Sequence, residues 1–435
     1  MSIKQVSEKI PQQRWLRIIP PAILVYIFSF MDRTNLGIAV AGGMSESIGM
    51  TASMAGLASG VFFFGYLLLQ IPAGHLAERG SAKKFIAITI AIWGGLSIAT
   101  GFVTETWQLM VLRFLLGVSE GGVWPAMLVM LAHWFPPEER ARANAFFIMN
   151  LAIACVITGP LSGWIISQWG WRYVFFVEGL LSIALIFVWW PMIADRPENA
   201  KWISPAEREY LVKRMKEEHD AFKGERGPVS YKEILSDINL WKLSYVYFGY
   251  QVGIYGFIMW LPTILKTLTK AGIAQVGYLS ALPYLIAIPG MYFFAAWSDR
   301  SGNRKPYVAF PAVGMAACLV LSVVFKEQLW VSYAFLCALG FFWQAYNGPF
   351  WTLPPMLFPP EVAGGARGII NALGNMGGLV GPFVVGWIVT TWGNMDWGIY
   401  VLAFVWVTAS IVTYTLPTHS KASLKGSNVV QASKR

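Results

Sequence analysis

Four ionisable side chains interrupt apolar segments that are long enough to cross a lipid bilayer. Asp32 and Arg33 are neighbours in the first such segment, and Arg113 and Glu120 are seven residues apart in the fourth. A charge at membrane depth is costly and usually faces the interior of a helix bundle or a water-filled path. Guanidinium groups stay charged and can bind carboxylates through two hydrogen bonds. The four side chains therefore predict a site for an anion, with carboxylates beside it that can accept protons.

The two arginines are predicted to lie at similar depth. Arg113 and Glu120 share one helix face, and Arg113 lies about 10 Å below the start of its segment near residue 106. If the first segment enters from the opposite side near residue 18, Arg33 lies about 8 Å from the side at which the fourth segment enters, in a hydrocarbon core about 30 Å thick. Asp32 points about 100° away from Arg33, so we expect Arg33 to face the cavity and Asp32 to face neighbouring helices or the cavity edge. The alternative is a buried ion pair that only fixes helix packing.

Asp32 and Glu120 are the predicted proton sites. Burial favours a neutral acid, whereas a neighbouring arginine favours the carboxylate. An anion that engages the arginines would weaken their hold on the carboxylates and so promote protonation. Protonation then lowers the charge that must cross the apolar midplane.

Composition places the chain in a membrane. Of its 435 residues, 56% are hydrophobic and 13% charged, against about 25% charged in soluble proteins. The net charge of +10 is concentrated partly at the two ends, as the positive-inside rule predicts for cytoplasmic termini held near anionic lipid headgroups. This distribution argues against nucleic-acid binding. The residues concerned are Lys4, Lys9, Arg14, Arg17, Lys421, Lys425, Lys434 and Arg435.

Apolar runs predict an all-α membrane protein with twelve transmembrane helices. The predicted spans are 18–42, 53–77, 84–103, 106–133, 143–167, 173–193, 240–265, 275–297, 306–325, 329–356, 364–390 and 397–416. Residues 1–194 and 239–435 would each form a six-helix bundle, the second followed by a basic tail. Between them, 195–238 is polar. We expect it to hold a short amphipathic helix capped by Ser204 with Pro205 in its first turn, followed by a linker from Gly224 to Pro228.

The two halves of the chain repeat each other. Gly159-Pro160 and Gly163-Trp164 in the fifth predicted span recur as Gly381-Pro382 and Gly386-Trp387 in the eleventh. Parallel repeats of six spans are typical of secondary transporters whose substrate site lies between the repeats near the midplane.

Several motifs resemble one family. The segment from Gly74 through Glu78-Arg79 to Lys83-Lys84 resembles the signature loop of the major facilitator superfamily, with Glu78 in place of the usual aspartate and Ser81 in place of a glycine. Asp299-Arg300 echoes it in the second half. Within that superfamily, three segments resemble the anion:cation symporter family. They are Phe30 to Asn35, Arg113 to Pro125, and Gly170 to Gly179. The resemblance covers roughly 15–418.

The resemblance implies a pseudo-symmetric fold of two six-helix bundles and proton-coupled symport of an organic anion such as a bacterial sugar acid. In that family, acids matching Asp32 and Glu120 carry proton coupling, and the signature loops gate the cytoplasmic face. The gate positions here are Gly74, Glu78, Arg79, Lys83, Asp299 and Arg300. Positions matching substrate contacts are Arg33, Arg113, Tyr66, Trp351 and one of Asn371 and Asn375. Asn150 replaces a glutamine of those relatives, and Phe30 replaces a tyrosine.

The second half carries polar and aromatic side chains rather than deep charge. Gln251, Asn371 and Asn375 could hydrogen-bond the uncharged part of a substrate, although interhelical packing is an equal alternative for each. We expect Glu178 to pack against Arg172 or a neighbouring helix near the outer surface, without a part in transport. Lys266 and Arg367 are interpreted as interface or loop residues.

The sequence argues against other classes of function. The three cysteines lie in apolar segments without metal-ligand spacing, and no nucleophile elbow or phosphate-binding loop occurs. We expect no cofactor, no metal and no enzymatic activity.

The expected partners are protons, a small organic anion and membrane lipid, and the protein is expected to be a monomer of a bacterial inner membrane. An exchanger or exporter of organic anions or organophosphates stays open, as more remotely does a sensor that does not transport. The exact anion, whether sugar acid, aromatic acid, other carboxylate or sulfonate, also stays open.

Overall fold

The computed structural model describes residues 12–222, 231–358 and 360–417. In this part of the chain, twelve helical stretches are long and apolar enough to cross a membrane, which confirms the predicted all-α fold. We number them spans one to twelve. They are Gln13–Ser47, Ala52–Gln70, Ala82–Thr100, Thr106–Trp134, Pro137–Trp169, Arg172–Met192, Ile238–Thr269, Ile273–Ser301, Lys305–Val324, Leu329–Leu357, Val362–Trp392 and Met395–Tyr414. Span one begins at Gln13, five residues before the predicted start.

Four spans are interrupted near their middle, in two corresponding pairs. Span four consists of helices Thr106–Gly121 and Val123–Trp134, and span ten of Leu329–Trp343 and Asn347–Leu357. Span five consists of Pro137–Ile148 and Asn150–Trp169, and span eleven of Pro360–Asn375 and Gly377–Trp392. In secondary transporters, discontinuous helices typically form the substrate site. The candidate residues Glu120, Asn150 and Asn375 lie beside these breaks.

The remaining spans are helical with smaller irregularities. Span one runs as an α-helix over Gln13–Ala39 and continues through a π-helical turn, Val40–Met44, to Ser45–Ser47. The helix of span two extends to Arg79. An even number of spans brings the first and last described residues to one face of the molecule. We call this the terminal face and the opposite one the distal face.

The connection between the halves contains the predicted helix. It runs over Pro205–Phe222, and the main-chain N–H of Glu207 donates to the Ser204 hydroxyl at 3.2 Å, so Ser204 caps it as expected. A single turn, Pro197–Asn199, precedes it, and a short helix, Tyr231–Ser236, follows. The predicted linker from Gly224 to Pro228 lies outside the described residues.

A buried charge cluster fastens this connecting helix to span one. The Arg14 guanidinium donates to Glu207 Oε1 at 2.5 Å and to Glu139 Oε2 at 2.7 Å. Arg14 is 1% exposed and Glu207 is fully buried. The prediction that Arg14 belongs to a tail near lipid headgroups is therefore wrong, because two glutamates distant in sequence provide it with a buried site.

The two halves meet at the distal face. A Cβ atom on Gly277 of span eight would overlap the carbonyl oxygen of Gly159 in span five, so these helices touch backbone to backbone. Spans two and eleven also touch there, where the Ser53 N–H donates to Thr390 Oγ1 at 2.8 Å. Lys266 Nζ donates to the carbonyl of Ala41 at 2.6 Å, which joins span seven to span one. These contacts hold the distal side of the interface closed.

Candidate functional site

Arg33 and Glu120 form an ion pair between spans one and four. Arg33 Nε lies 2.9 Å from Glu120 Oε2, and the two side chains are 5% and 0% exposed. Ser29, one turn before Arg33, donates its hydroxyl to the same carboxylate oxygen at 2.7 Å. The other carboxylate oxygen, Oε1, is buried and has no partner in the described part of the chain. Glu120 can therefore accept a proton on Oε1 without breaking a hydrogen bond.

Span two supplies an aromatic wall beside both arginines. The Arg33 guanidinium carbon is 4.7 Å from the ring centre of Tyr66 and 5.4 Å from that of Phe62. The guanidinium of Arg113 is 5.6 Å from the Phe62 ring. The two cations thus lie beside one phenyl ring. Gly117 and Gly121 let spans two and four approach this closely, since a Cβ at either would overlap a carbonyl oxygen of span two.

Arg113 differs from Arg33 in having no acidic partner among the described residues. It is 1% exposed. Its guanidinium donates to the main-chain carbonyl of Asp32 at 2.8 Å, and its Nε is buried without a hydrogen bond. An unsatisfied buried cation is unfavourable. Such a group is well suited to bind an anion.

Asp32 faces away from the arginine side chains. Its Oδ1 accepts from Ser97 of span three at 2.8 Å and from Asn35, one turn further along span one, at 3.2 Å. Its Oδ2 is buried without a partner in the described residues. The hydrogen bond from Arg113 reaches the main-chain carbonyl of Asp32 and not its carboxylate.

Glu178 of span six joins the Asp32 cluster, which sequence reasoning missed. Asn35 Nδ2 donates to Glu178 Oε2 at 2.8 Å, and the Ser162 hydroxyl donates to Oε1 at 2.7 Å. Glu178 is 1% exposed. Of the two expected partners, Glu178 contacts neighbouring helices and not Arg172, whose guanidinium stacks on Trp171 at 4.2 Å. The available signal was its helical position, six residues or about 9 Å into span six.

The second half offers a polar pair at the break of span eleven. Gln251 Nε2 donates to Asn375 Oδ1 at 3.3 Å, and the Tyr346 hydroxyl donates to Gln251 Oε1 at 3.3 Å. Both amides are 7% exposed. Tyr346 stacks on Tyr250 with ring centres 3.6 Å apart, which fixes its hydroxyl. The amide pair can exchange its internal hydrogen bond for one to a polar ligand.

The other predicted binding residues are more scattered. Trp351 is half-buried and packs edge-on to Tyr247 at 5.0 Å. Asn371 is half-buried and makes no hydrogen bond in the described chain. Asn150 is fully buried and donates to the carbonyl of Phe147 in its own span, which leaves Oδ1 without a partner among the described groups.

Phe63 lies between the polar groups of the two halves. Its ring centre is 4.3 Å from that of Tyr255 in span seven, and it packs on Gly378 just after the break of span eleven. Since the adjacent Phe62 lies beside the arginines, span two contacts both the charged site and the second half through neighbouring aromatic side chains.

The signature loops lie at the terminal face. Gly74, Glu78 and Arg79 belong to the last turns of the span-two helix. The Lys83 main-chain N–H donates to Asp195 Oδ1 at 2.8 Å, which ties this loop to the end of span six. In the second half, Asp299 pairs with Arg304 at 2.6 Å, whereas Arg300 is exposed. In the part of the chain that is described, no hydrogen bond from these residues crosses between the halves.

The fold and the site together define a class of protein. Twelve spans in two repeats, broken helices at the centre, and buried charge around them are the architecture of a secondary transporter. The chain belongs to the Major Facilitator Superfamily, whose family model matches residues 22–382 and 274–434. It is a multi-pass membrane transporter and not an enzyme.

Relatives span nearly the whole chain. A protein of Agrobacterium vitis named as a tartrate transporter is 34% identical over 92% of this chain and 93% of its own length. An Escherichia coli protein named as a galactarate/D-glucarate transporter is 28% identical over 95% and 96%. A solved bacterial homologue of the human lysosomal transporter Spinster, inward-facing and occupied, has a TM-score of 0.75 at 16% identity and covers 93% of this chain and 97% of its own.

Proposed function

We propose that this protein imports a small organic anion together with protons by alternating access, and that the anion is a sugar acid such as a hexonate or hexarate. The names of the relatives support an organic acid with several hydroxyl groups. Such a ligand needs a cation for its carboxylate and hydrogen-bonding groups for its hydroxyls.

The observation that carries the proposal is the buried Arg113, which has no ion-pair partner among the described residues. Its Nε has no partner in the described residues and lies in a low-dielectric interior. There a carboxylate ligand would supply both the missing charge and the missing hydrogen bond. Arg33 would provide the second half of the clamp, and Tyr66 would line the same pocket. Gln251, Asn375, Asn371, Trp351 and Asn150 would contact the rest of the substrate.

Coupling would follow from competition for Arg33. In the structure its Nε is held by Glu120. A bound carboxylate that attracts Arg33 leaves Glu120 with weaker charge compensation, so Glu120 binds a proton. An anion bound to Arg113 would likewise favour proton binding at Asp32, because Arg113 donates to the main-chain carbonyl of Asp32. Anion and protons would then cross as a less charged complex.

Alternating access would use residues 1–194 and 239–435 as two rocking units joined by 195–238. The distal contacts between spans five and eight would open as the terminal face closes. Glu78, Arg79, Asp299 and Arg300 would then form links across that face. We place the terminal face in the cytoplasm of a bacterial inner membrane, because the basic ends of the chain follow the positive-inside rule. The bilayer lipid would be the only other partner of a monomer.

The proposal is tested with purified protein and a panel of organic anions. Thermal unfolding in detergent with tartrate, galactarate, glucarate, gluconate and aromatic acids identifies the ligand as the compound that raises the unfolding temperature. Uptake of that labelled compound into proteoliposomes, with and without a protonophore, then follows. Accumulation that the protonophore abolishes supports symport. Efflux of a quinolone, which the name of a 29% identical Acinetobacter baumannii relative suggests, would contradict it.

A further inference from the structure

We propose that Glu178 is a third member of the proton site, and that Glu178 and Asp32 form one unit which binds a single shared proton. This inference rests on the proposed proton-coupled transport and adds a residue of span six to it. The unit consists of the two carboxyl groups together with Asn35, which bridges them, and we call it the carboxyl pair.

The bridging geometry is the first support. The single amide nitrogen of Asn35 donates to Asp32 Oδ1 at 3.2 Å and to Glu178 Oε2 at 2.8 Å. An amide NH₂ has two hydrogens, so it can satisfy one oxygen of each acid at once. The three residues are at most 1% exposed. Two acids that share a donor away from water interact strongly and titrate as a pair.

The charge balance is the second support. The deep acids of the first six spans are Asp32, Glu120 and Glu178, and the deep cations are Arg33 and Arg113. With all five ionised the site carries one excess negative charge, which is unfavourable in a bilayer. One bound proton makes the site neutral. Glu120 already has Arg33 as its ion-pair partner at 2.9 Å, so we assign the proton to the carboxyl pair.

The groups around Glu178 leave it no other means of compensation. Span six packs against spans one, three and five. They present Asp32 from span one, Ser97 next to it from span three, and Ser162 from span five. Neither carboxylate of the pair has an ion-pair partner among the described residues. The adjacent cation, Arg113, contacts the main chain of Asp32 and not its carboxylate.

The first test compares Glu178→Gln with Glu178→Asp in proteoliposomes. Counterflow exchange of labelled glucarate or tartrate needs binding and rocking but no proton gradient. We expect Glu178→Gln to keep counterflow within about twofold of wild type and to lose pH-driven accumulation, and Glu178→Asp to recover part of it. Normal accumulation by Glu178→Gln overturns the inference. An equal loss of counterflow and accumulation also overturns it, since a purely structural role gives that result.

A second variant keeps the test decisive if Glu178→Gln does not fold. Ser162→Ala removes a donor to the Glu178 carboxylate without touching an acid, and should shift the pH profile of accumulation to higher pH with counterflow at fixed pH unchanged. An unaltered pH profile overturns the inference. The proposed function fails separately, when wild-type protein shows no proton-driven accumulation of any anion in the panel.

Discussion

The Arg33–Glu120 ion pair, with Nε 2.9 Å from Oε2, links span one to span four at the break of span four. It joins a cation that would bind an anionic substrate to an acid that would bind a proton. The pair is buried, so removing one partner alone leaves an uncompensated charge. This relationship makes the binding of an anion and the binding of a proton mutually dependent.

Replacing Arg113 by glutamine should weaken anion binding by about ten- to a hundredfold. A charge-assisted hydrogen bond in a buried site contributes about 1.5–3 kcal/mol. Isothermal titration of purified protein with the ligand from the panel measures the change. Arg172→Gln is the matched control, because Arg172 stacks on Trp171 away from the site. Equal affinities of the two variants would remove Arg113 from the binding site.

Replacing Asn375 by alanine should change which anion is preferred rather than whether protons drive uptake. The substitution removes the hydrogen-bond partner of Gln251 and leaves the charged half intact. We expect the ratio of the affinities for glucarate and tartrate to change several-fold, since these acids differ in chain length and hydroxyl number. Uptake of one labelled acid in competition with the other measures that ratio. Loss of protonophore sensitivity would contradict the assignment of substrate choice to the second half and proton coupling to the first.

Replacing Glu207 by alanine should destabilise the protein by about 3 kcal/mol, since it leaves Arg14 buried with one acid fewer. Glu217 on the same helix is the control. Its ion pair with Arg214 is 45% exposed on the Glu217 side, and such a pair contributes about 0–1 kcal/mol. Unfolding in detergent compares the two. Equal stability of both variants would show that the Arg14 cluster does not anchor the helix.

Replacing Gly277 by alanine should favour opening of the distal face. The added Cβ overlaps the Gly159 carbonyl, whereas Gly272 has open space around it and serves as the control. Cys155 lines a cavity between spans five and eight beside this contact. With Cys318 and Cys337 replaced by serine, a membrane-impermeant maleimide should label Cys155 faster in Gly277→Ala than in Gly272→Ala. Equal rates would contradict distal closure through this contact.

The sequence alone predicted most of the fold, because spanning helices are set by local apolar length. The twelve predicted spans match the observed ones in number and order, with ends that differ by up to seven residues, and Ser204 caps its helix as local turn chemistry required. The breaks in spans four, five, ten and eleven were not predicted. At Gly122, Met149 and Met376 the backbone keeps right-handed helical angles, so apolar length alone does not locate these breaks.

The partners of buried charges were harder to predict than their presence. Arg14 pairs with Glu139 and Glu207, which lie 125 and 193 residues away in sequence. Glu178 accepts a hydrogen bond from Asn35, which lies 143 residues away. Helical periodicity orients a side chain on its own helix, but it does not say which helix lies opposite. Asp32 was expected to face neighbouring helices, yet span six could not be identified as one of them.

Coupling of the anion to a proton is assigned to Glu120, and a comparison of three proteins measures it. Wild type, Glu120→Gln and the exposed control Glu46→Gln are reconstituted, and accumulation of the labelled anion under an imposed pH gradient is measured beside counterflow. We expect Glu120→Gln to lose accumulation while it keeps counterflow, and Glu46→Gln to behave as wild type. Protonophore-sensitive accumulation by Glu120→Gln at the wild-type level would contradict it.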